Sequence, residues 1–592
     1  VSSVGPHERI TSSTSPPVPA GKVAEDYYLK NFHALVGFVE ETYADCLLPD
    51  ERDWLLALRR CSGSAQRLYV RLIGRKRSVF RLARLHYPEI DDLASAAAEL
   101  VSSELATAAP PATLAELLGA FTRREIVERL SLGASARATR QELTEHLLLP
   151  AAAAEEPAMC KRLLADERCL ILHGHAHLSL FRLCFFGNLY QDLSEFVLSD
   201  LGTVRYESYA MPAGERAFGN RSQIDAHLRY FECEWLFETG NTRDEKSLQS
   251  LVAQLPVPGP GDVSLRRRTD RLCNRIARQF ERLDLHDEAL TLYAASRRPP
   301  ARERRVRLLL AAERTSEALT LCEAMRCEPR ADSELQFVER VYRRLQREHR
   351  RAGTSVRAPV RVEPRVYRPP TTRLVLRRNP AWRRNVRVER VARRYFQRHG
   401  ECHYVENRLV CGMLGLLAWD IIFMPVPGAF FHPFQNGPAD FREAGFRAAR
   451  EDAFAARLAE LEQPDGLSAR VMSTWQSRYG IANPLVQWSA LNEVLIERAL
   501  SIIPARHWQS MFTRVLADTR ENTSGLPDLT LFRPDGSYEF IEIKGPGDAL
   551  QSNQRRWLEY FSRHGIPARV VNIVWSDADA EFDADAAAES GA

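Results

Sequence analysis

Two β-rich runs around a Pro-Asp-Gly turn constrain this chain more tightly than anything else in it. Leu529–Phe532 and Tyr538–Lys544 flank Pro534-Asp535-Gly536. Proline suits the second position of a type I turn, and glycine suits the left-handed residue that closes it. Together they predict a three-residue hairpin loop with a bulge. That loop sets the register: Arg533 pairs Ser537, paired numbers sum to 1070, and Asp528 falls opposite Glu542. Opposed residues share a face with Cβ atoms about 4.5–5.5 Å apart. Lys544, two positions on, shares that face. A two-residue Asp-Gly loop would change the parity and part Asp528 from the other two.

Two opposed carboxylates repel unless something positive sits between them. A divalent cation is the natural candidate, and oxygen ligands select Mg²⁺ or Mn²⁺. A lysine beside such an ion can orient and help deprotonate a water, or stabilise phosphate charge in a transition state. Lys544 is conspicuous for another reason. The chain has 81 basic residues, of which 75 are Arg and 6 are Lys, and Lys544 is the single lysine between 247 and 592. Arginine is a planar fork that keeps its proton, whereas lysine is a compact point charge. A position that keeps lysine against such a drift is one that needs an ammonium.

Gly545-Pro546-Gly547 ends the second run, and a helix is expected from about Ala549 to His564, stopped by Gly565. Its apolar face is Leu550, Trp557, Leu558 and Phe561, and Gln554 falls on that face. A buried amide needs partners, either backbone groups in the core or the metal-site edge of the sheet. Ala568 to Trp575 reads as a buried strand, so strand–helix–strand order implies a parallel crossover on a mixed sheet.

The remaining chain is organised around charge and helical periodicity. Its 592 residues suit several domains, and 45% hydrophobic with 27% charged residues excludes a wholly disordered or disulfide-stapled chain. The longest apolar run, Leu409 to Trp419, stops at Asp420, short of the ~18 residues a membrane span needs. No signal-peptide pattern opens the chain, so a soluble, intracellular protein without membrane partners is expected. The first residue is Val rather than Met, and a native start upstream is expected. Eleven cysteines without a CxxC pair predict free thiols in a reducing compartment and no structural zinc. Residues 341–400 hold 19 Arg, no Lys and three acids, a net +16 that predicts a nucleic-acid partner.

From the N-terminus, 1–24 is expected to be a disordered tail and 25–108 a helical DNA-binding domain. The latter holds the basic cluster Arg71, Arg75, Lys76, Arg77 and Arg81. Residues 109–155 predict three short helices resembling a SAP-type DNA-binding unit, with Thr122 capping Arg123–Leu130. Residues 156–372 predict a helical-repeat domain resembling tetratricopeptide-like pairs, since Glu288-Ala-Leu-Thr-Leu-Tyr293 returns 29 residues later as Glu317-Ala-Leu-Thr-Leu-Cys322. Alternating His173, His175 and His177 would line one face of a strand as metal ligands, though no partner acid or Cys is nearby. Strands are expected from about 481, within an α/β domain over 373–577, and 578–592 is expected to be an acidic disordered tail.

Pro527-Asp528 followed by Glu542-Ile-Lys544-Gly resembles the PD-(D/E)xK nuclease core in its VRR-NUC variant. His403-Tyr-Val-Glu406, Leu416-Leu-Ala-Trp-Asp-Ile-Ile-Phe-Met424 and Phe434-Gln-Asn-Gly-Pro-Ala-Asp440 extend the likeness to the Fanconi-anaemia-associated nuclease family. So do Arg75-Lys-Arg77, Tyr87-Pro-Glu-Ile90 and the stretch Phe185 to Gly202. The resemblance implies a multidomain enzyme, with mainly α-helical N-terminal, SAP-like and tetratricopeptide-like domains before a C-terminal α/β restriction-endonuclease-like domain. It implies a repair nuclease cutting 5′ flaps and branched duplex DNA with Mg²⁺ or Mn²⁺, in interstrand-crosslink repair among other settings. It also implies phosphodiesterase I-type endonuclease and 5′–3′ exonuclease action.

By motif, Glu406, Asp528, Glu542 and the Ile543 carbonyl would hold metal, and Lys544 would be the catalytic lysine. Arg520, Gln554, Arg75, Lys76 and Arg77 would contact DNA. Physics alone also admits Glu493 as the further carboxylate, on a helix. Animal members of the family carry a ubiquitin-binding zinc finger that no Cys/His cluster here would build. A bacterial, cytoplasmic, nucleoid-associated member is expected. A junction resolvase or restriction-type nuclease with the same core, and a non-catalytic DNA-binding scaffold, are the competing readings.

Overall fold

The computed structural model describes residues 26–75, 77, 79–108, 113–132, 138–149, 155–165, 167–211, 216–351, 367–377, 387–462 and 466–576. Both expected tails, and Lys76, lie outside them. The chain divides into two compact units, one formed by residues up to 205 with 216–224 and the other by 206–215 with 225–592. No helix among the described residues is long and apolar enough to cross a membrane. All eleven cysteines are free thiols.

In the first unit, helices Tyr27–Thr42, Pro49–Arg60, Gly63–Ile73 and Leu93–Ser102 bury Trp54, Leu55, Leu58, Leu68 and Leu72. Three short helices follow, Leu114–Ala120, Arg123–Leu130 and Arg140–Leu147. Thr113, Thr122 and Thr139 cap them, each paired with a glutamate three residues on, a reciprocal arrangement that satisfies two orphan donors per helix. Leu114, Leu117, Leu118, Ile126, Leu130 and Leu143 form one core with Leu163.

The helical expectation misses a small antiparallel sheet here. Strands β1 (Val79–Arg81), β2 (Ala106–Thr107) and β3 (Cys169–Leu172) run in the order β1-β3-β2. Strands of two to four residues show no readable alternation. Because β3 pairs with β1 and β2, the stretch 156–205, expected to open the repeat domain, packs in this first unit.

The alternating-histidine strand is also corrected. β3 stops at Leu172 and a helix, His175–Phe186, starts after Gly174. At φ +93°, a Cβ on Gly174 would lie 2.3 Å from Trp54 Nε1, so the turn demands glycine. His173 bonds Thr107 Oγ1 at 2.8 Å and the Glu104 carbonyl at 2.9 Å.

The second unit begins with stacked helices, Glu245–Gln254, Val263–Arg282, His286–Ala295, Ala301–Ala311, Thr315–Cys327 and Asp332–Arg351. The two similar segments bury equivalent positions, Ala289 and Tyr293 in one, Ala318 and Cys322 in the other. The α/β part is a five-stranded mixed sheet of β4 (Thr371–Arg377), β5 (Glu401–Tyr404), β6 (Leu529–Phe532), β7 (Tyr538–Lys544) and β8 (Ala568–Ser576), ordered β4-β8-β7-β6-β5. Strands therefore begin at 371, well before 481, and the sheet reaches ahead of residue 373. β5, four residues long, is identified only by its pairing with β6.

The β6–β7 pair has the expected register, Leu529 opposite Ile541 and Phe532 opposite Tyr538. Arg533 N–H donates to the Ser537 carbonyl at 2.8 Å, and Gly536 is left-handed at φ +80°. β8 joins β7 in parallel after the Ser552–Arg563 helix, as the crossover requires. Period-2 alternation then divides the strands between two cores. Leu529, Leu531, Ile541 and Ile543 pack with Val391 and Phe396 of the Val388–Phe396 helix. Phe532, Tyr538 and Phe540 face helices Arg408–Leu417, Ala505–Ala517 and Ser552–Arg563.

Candidate active site

Asp528, Glu542 and Lys544 lie on the second of these faces, by the same alternation that buries Thr530 and Phe540. Asp528 is 9% exposed, Glu542 1% and Lys544 8%. Asp528 Oδ2 accepts the Ile543 N–H at 2.8 Å, which fixes its carboxylate against β7. Lys544 Nζ lies 2.9 Å from Glu542 Oε1 and donates to Gln554 Oε1 at 2.9 Å. That ion pair is the polar contact of the Glu542 carboxylate: among the described residues no backbone or neutral side-chain group donates to either of its oxygens. Gln554 Oε1 also accepts the Gln551 N–H at the start of its helix, so the amide meets the metal-site edge rather than a purely backbone core.

Glu406 follows β5 at φ +38°, a left-handed conformation rare outside glycine. The N–H groups of Val405 and Glu406 both donate to the Asp528 carbonyl at 3.0 Å. Glu406 is thereby held beside the other two carboxylates, and its charge acts on both. Glu493, the alternative, is exposed at the start of its helix and is not among the charges acting on either.

Burial and then the Asp528 charge push the Glu542 carboxyl above its ordinary range, against the pull of Lys544. Burial likewise raises Asp528, opposed by the Ile543 N–H and aided by Glu389 and Glu406. Among the described residues, no three His, Cys, Asp or Glu side chains already converge as a ligand group. A buried carboxylate held by one ammonium, crowded by a second and a third carboxylate, is nonetheless the ligand set a hard divalent cation takes, since such an ion supplies the missing charge and fills the remaining lone pairs.

Glu389, the second residue of the Val388–Phe396 helix, was no candidate in the sequence. Its neighbour Val388 packs where a Cβ on Gly545 would sit, 3.2 Å from Val388 Cγ2, at the end of β7. Arg267, Arg271 and Arg298 were equally unmarked, although Arg266-Arg267-Arg268 is a visible run. Burial, then Arg268, Arg271 and Arg520, push Arg267 down to about 10. Burial, then Arg520, Arg271 and Arg267, push Arg298 down to about 10. Arg520 therefore belongs to a crowded guanidinium cluster, in which Arg267 pairs with Glu443 and Arg520 lies 3.6 Å from Glu521.

In the first unit, Arg75 and Arg77 are exposed. Arg71 and Arg81 leave the expected basic cluster. Arg71 pairs with Glu89 at 2.6 Å, and buried Arg81 pairs with Glu125 at 2.8 Å and Glu167 at 2.5 Å.

A helix, three antiparallel strands, a crossover helix and a parallel strand, with this carboxylate–lysine cluster at the strand ends, define a PD-(D/E)xK-type nuclease domain. The model of the VRR-NUC domain matches residues 462–575, and that of the FAN1 HTH domain matches 26–107. A Fanconi-associated nuclease 1 homolog of Pseudomonas aeruginosa is 37% identical over 93% of this chain and 96% of its own length. One from Oryza sativa is 25% identical over 92% of this chain and 62% of its own length. The crystal structure of paFAN1 bound to 2nt 5′ flap DNA with a gap superposes with a TM-score of 0.84 at 34% identity, covering 95% of this chain and 100% of that one. The chain belongs to the Fanconi-associated nuclease 1 family and is a nuclease acting on DNA.

Proposed function

We propose that this protein is a structure-selective nuclease that cuts 5′ flaps and branched duplex DNA near the junction, in repair that includes interstrand crosslinks. The observation that carries the reading is the Glu542 carboxylate, 1% exposed, opposite Asp528 and held, among the described residues, by the Lys544 ammonium alone. Asp528, Glu542, Glu406 and the Ile543 carbonyl would hold Mg²⁺ or Mn²⁺. When bound, such an ion supplies Lewis-acid stabilisation of phosphoryl charge and makes a water acidic enough to attack.

The chain's own groups do the remaining work. Lys544, braced by Gln554, keeps a point charge beside the carboxylates and orients the attacking water. Arg520, with Arg271 and Arg298, takes a DNA phosphate, because an anion among crowded guanidiniums relieves their mutual repulsion. Exposed Arg75 and Arg77, with Lys76, hold duplex backbone without reading sequence. Cleavage by phosphodiesterase I-type chemistry, with 5′–3′ exonuclease action on the same site, is part of this reading.

The test uses end-labelled 5′-flap, 3′-flap and blunt duplex DNA with Mn²⁺ or EDTA, beside Asp528→Ala. Metal-dependent cutting near the 5′-flap junction, lost in the variant, is expected. Tight DNA binding without cutting of any substrate would hand the protein to the scaffold reading.

A further inference from the structure

Glu406 is the least anchored by motif of the proposed metal-holding carboxylates, yet its side chain is the most fully held. Tyr404 Oη donates to Glu406 Oε2 at 2.9 Å, and Asn407 Nδ2 donates to Glu406 Oε1 at 3.3 Å. The Asn407 amide has no freedom to turn over. Its Oδ1 accepts the Leu526 N–H at 3.0 Å, and since a backbone N–H only donates, Nδ2 must face Glu406. Leu526 lies two residues before Asp528 on the same segment, and the Asp528 carbonyl takes the N–H groups of Val405 and Glu406. Side chain and backbone of 404–407 are thus tied to the Asp528 segment at three points. These ties hold Glu406 at its left-handed φ of +38°, a conformation that persists only where surroundings over-determine it. Glu542, by contrast, is held among the described residues only by the Lys544 ammonium.

We propose that Asn407 and Tyr404 are positioning residues that aim the Glu406 carboxylate at the Asp528–Glu542 pair, and that they act through metal affinity. Donors on a ligating carboxylate fix which lone pairs face the ion, and losing one typically costs about 10- to 100-fold in affinity or activity. The inference rests on Glu406 being a ligand, as proposed above, and the experiment keeps the two apart.

The full chain is titrated with Mn²⁺ by calorimetry, without DNA, for the wild type, Tyr404→Phe, Asn407→Leu and Glu406→Gln. Tyr404→Phe and Asn407→Leu are expected to weaken Mn²⁺ binding about 10-fold or more, with thermal stability in EDTA unchanged in Tyr404→Phe and lowered in Asn407→Leu, which also loses the acceptor of the Leu526 N–H. Flap cleavage should fall at low Mn²⁺ and return at saturating Mn²⁺, with the KM for DNA unmoved. Added to Glu406→Gln, neither change should weaken binding further, because the group they aim is already gone. Unchanged affinity in Tyr404→Phe and Asn407→Leu, beside a weakened Glu406→Gln, overturns the positioning role alone, as do losses that add in the double variants. Unchanged affinity in Glu406→Gln overturns the ligand assignment and the positioning role with it. Should Asn407→Leu fail to fold, Tyr404→Phe decides, since it removes one oxygen and keeps the ring.

Discussion

Replacing Lys544 separates chemistry from DNA binding more cleanly than any other change in this molecule. The residue is 8% exposed, and its ammonium lies 2.9 Å from both Glu542 Oε1 and Gln554 Oε1. At about 4 Å and an effective dielectric near 20, two unit charges interact by about 4 kcal/mol. Spent on charge that develops only in the transition state, that is a factor of about 10³ in rate. Lys544→Ala is therefore expected to lower single-turnover cleavage of a 5′ flap by about 10²- to 10³-fold, the range for losing one preorganised charge or donor. Fluorescence anisotropy with the same DNA should show Kd within about twofold, because the bulk of phosphate contact is expected from arginines elsewhere. Lys544→Arg should be nearly as poor, because a planar fork does not fit where a compact ammonium is wedged between Glu542 and Gln554. Equal losses in binding and cleavage, or full activity in Lys544→Arg, would refute the reasoning.

Glu125 is one of several carboxyls that make the first unit's stability depend on pH. Burial alone would raise its carboxyl, but the Thr122 N–H and the Arg81 guanidinium hold it down to about 2. A depressed carboxyl contributes stability above the ordinary carboxylate range and loses it as pH falls toward the folded value. Melting temperatures of wild type and Glu125→Gln should differ near neutrality by the equivalent of about 1 kcal/mol, after solvent screening, and converge as pH drops from 4.5 to 2; parallel curves would contradict this. Arg520→Gln should weaken flap binding and flatten the plot of log affinity against log salt by about one unit of slope, read from anisotropy across a salt series. Gly525→Ala should destabilise by about 1–2 kcal/mol for its left-handed backbone alone. It should also lower cleavage, since at φ +90° the new Cβ would lie 2.8 Å from the Asn553 backbone and displace the segment carrying Asp528; unchanged melting and activity would count against that account.

Local chemistry made part of this protein legible from its residues alone. Pro534-Asp535-Gly536 dictates the turn, the turn dictates the register, and period-2 alternation then carries Asp528, Glu542 and Lys544 to one face. Thr122 begins its helix because a hydroxyl and a glutamate three residues on satisfy donors that no helix can satisfy itself. Gln554 meets Lys544 because an amide on an apolar helical face must find a partner. In each case the partners are close in sequence, or are joined by one turn of known geometry.

Tertiary structure decided everything that depends on partners far apart along the chain. That Glu406, and not Glu493, lies beside the Asp528–Glu542 pair rests on hydrogen bonds to the Asp528 carbonyl from residues more than a hundred positions away. The sheet of β1, β2 and β3 joins residues 79–81, 106–107 and 169–172, too short to announce themselves and stable only when paired. Arg267, Arg298 and Arg520 become one cluster only when a repeat helix, the loop after its partner and the segment before β6 fold together. An arginine in an arginine-rich chain carries no local signal of its role; burial beside other guanidiniums supplies it. Short-range sterics and hydrogen bonding write register and caps into the residue order, whereas burial and electrostatic crowding exist only once distant segments share one interior.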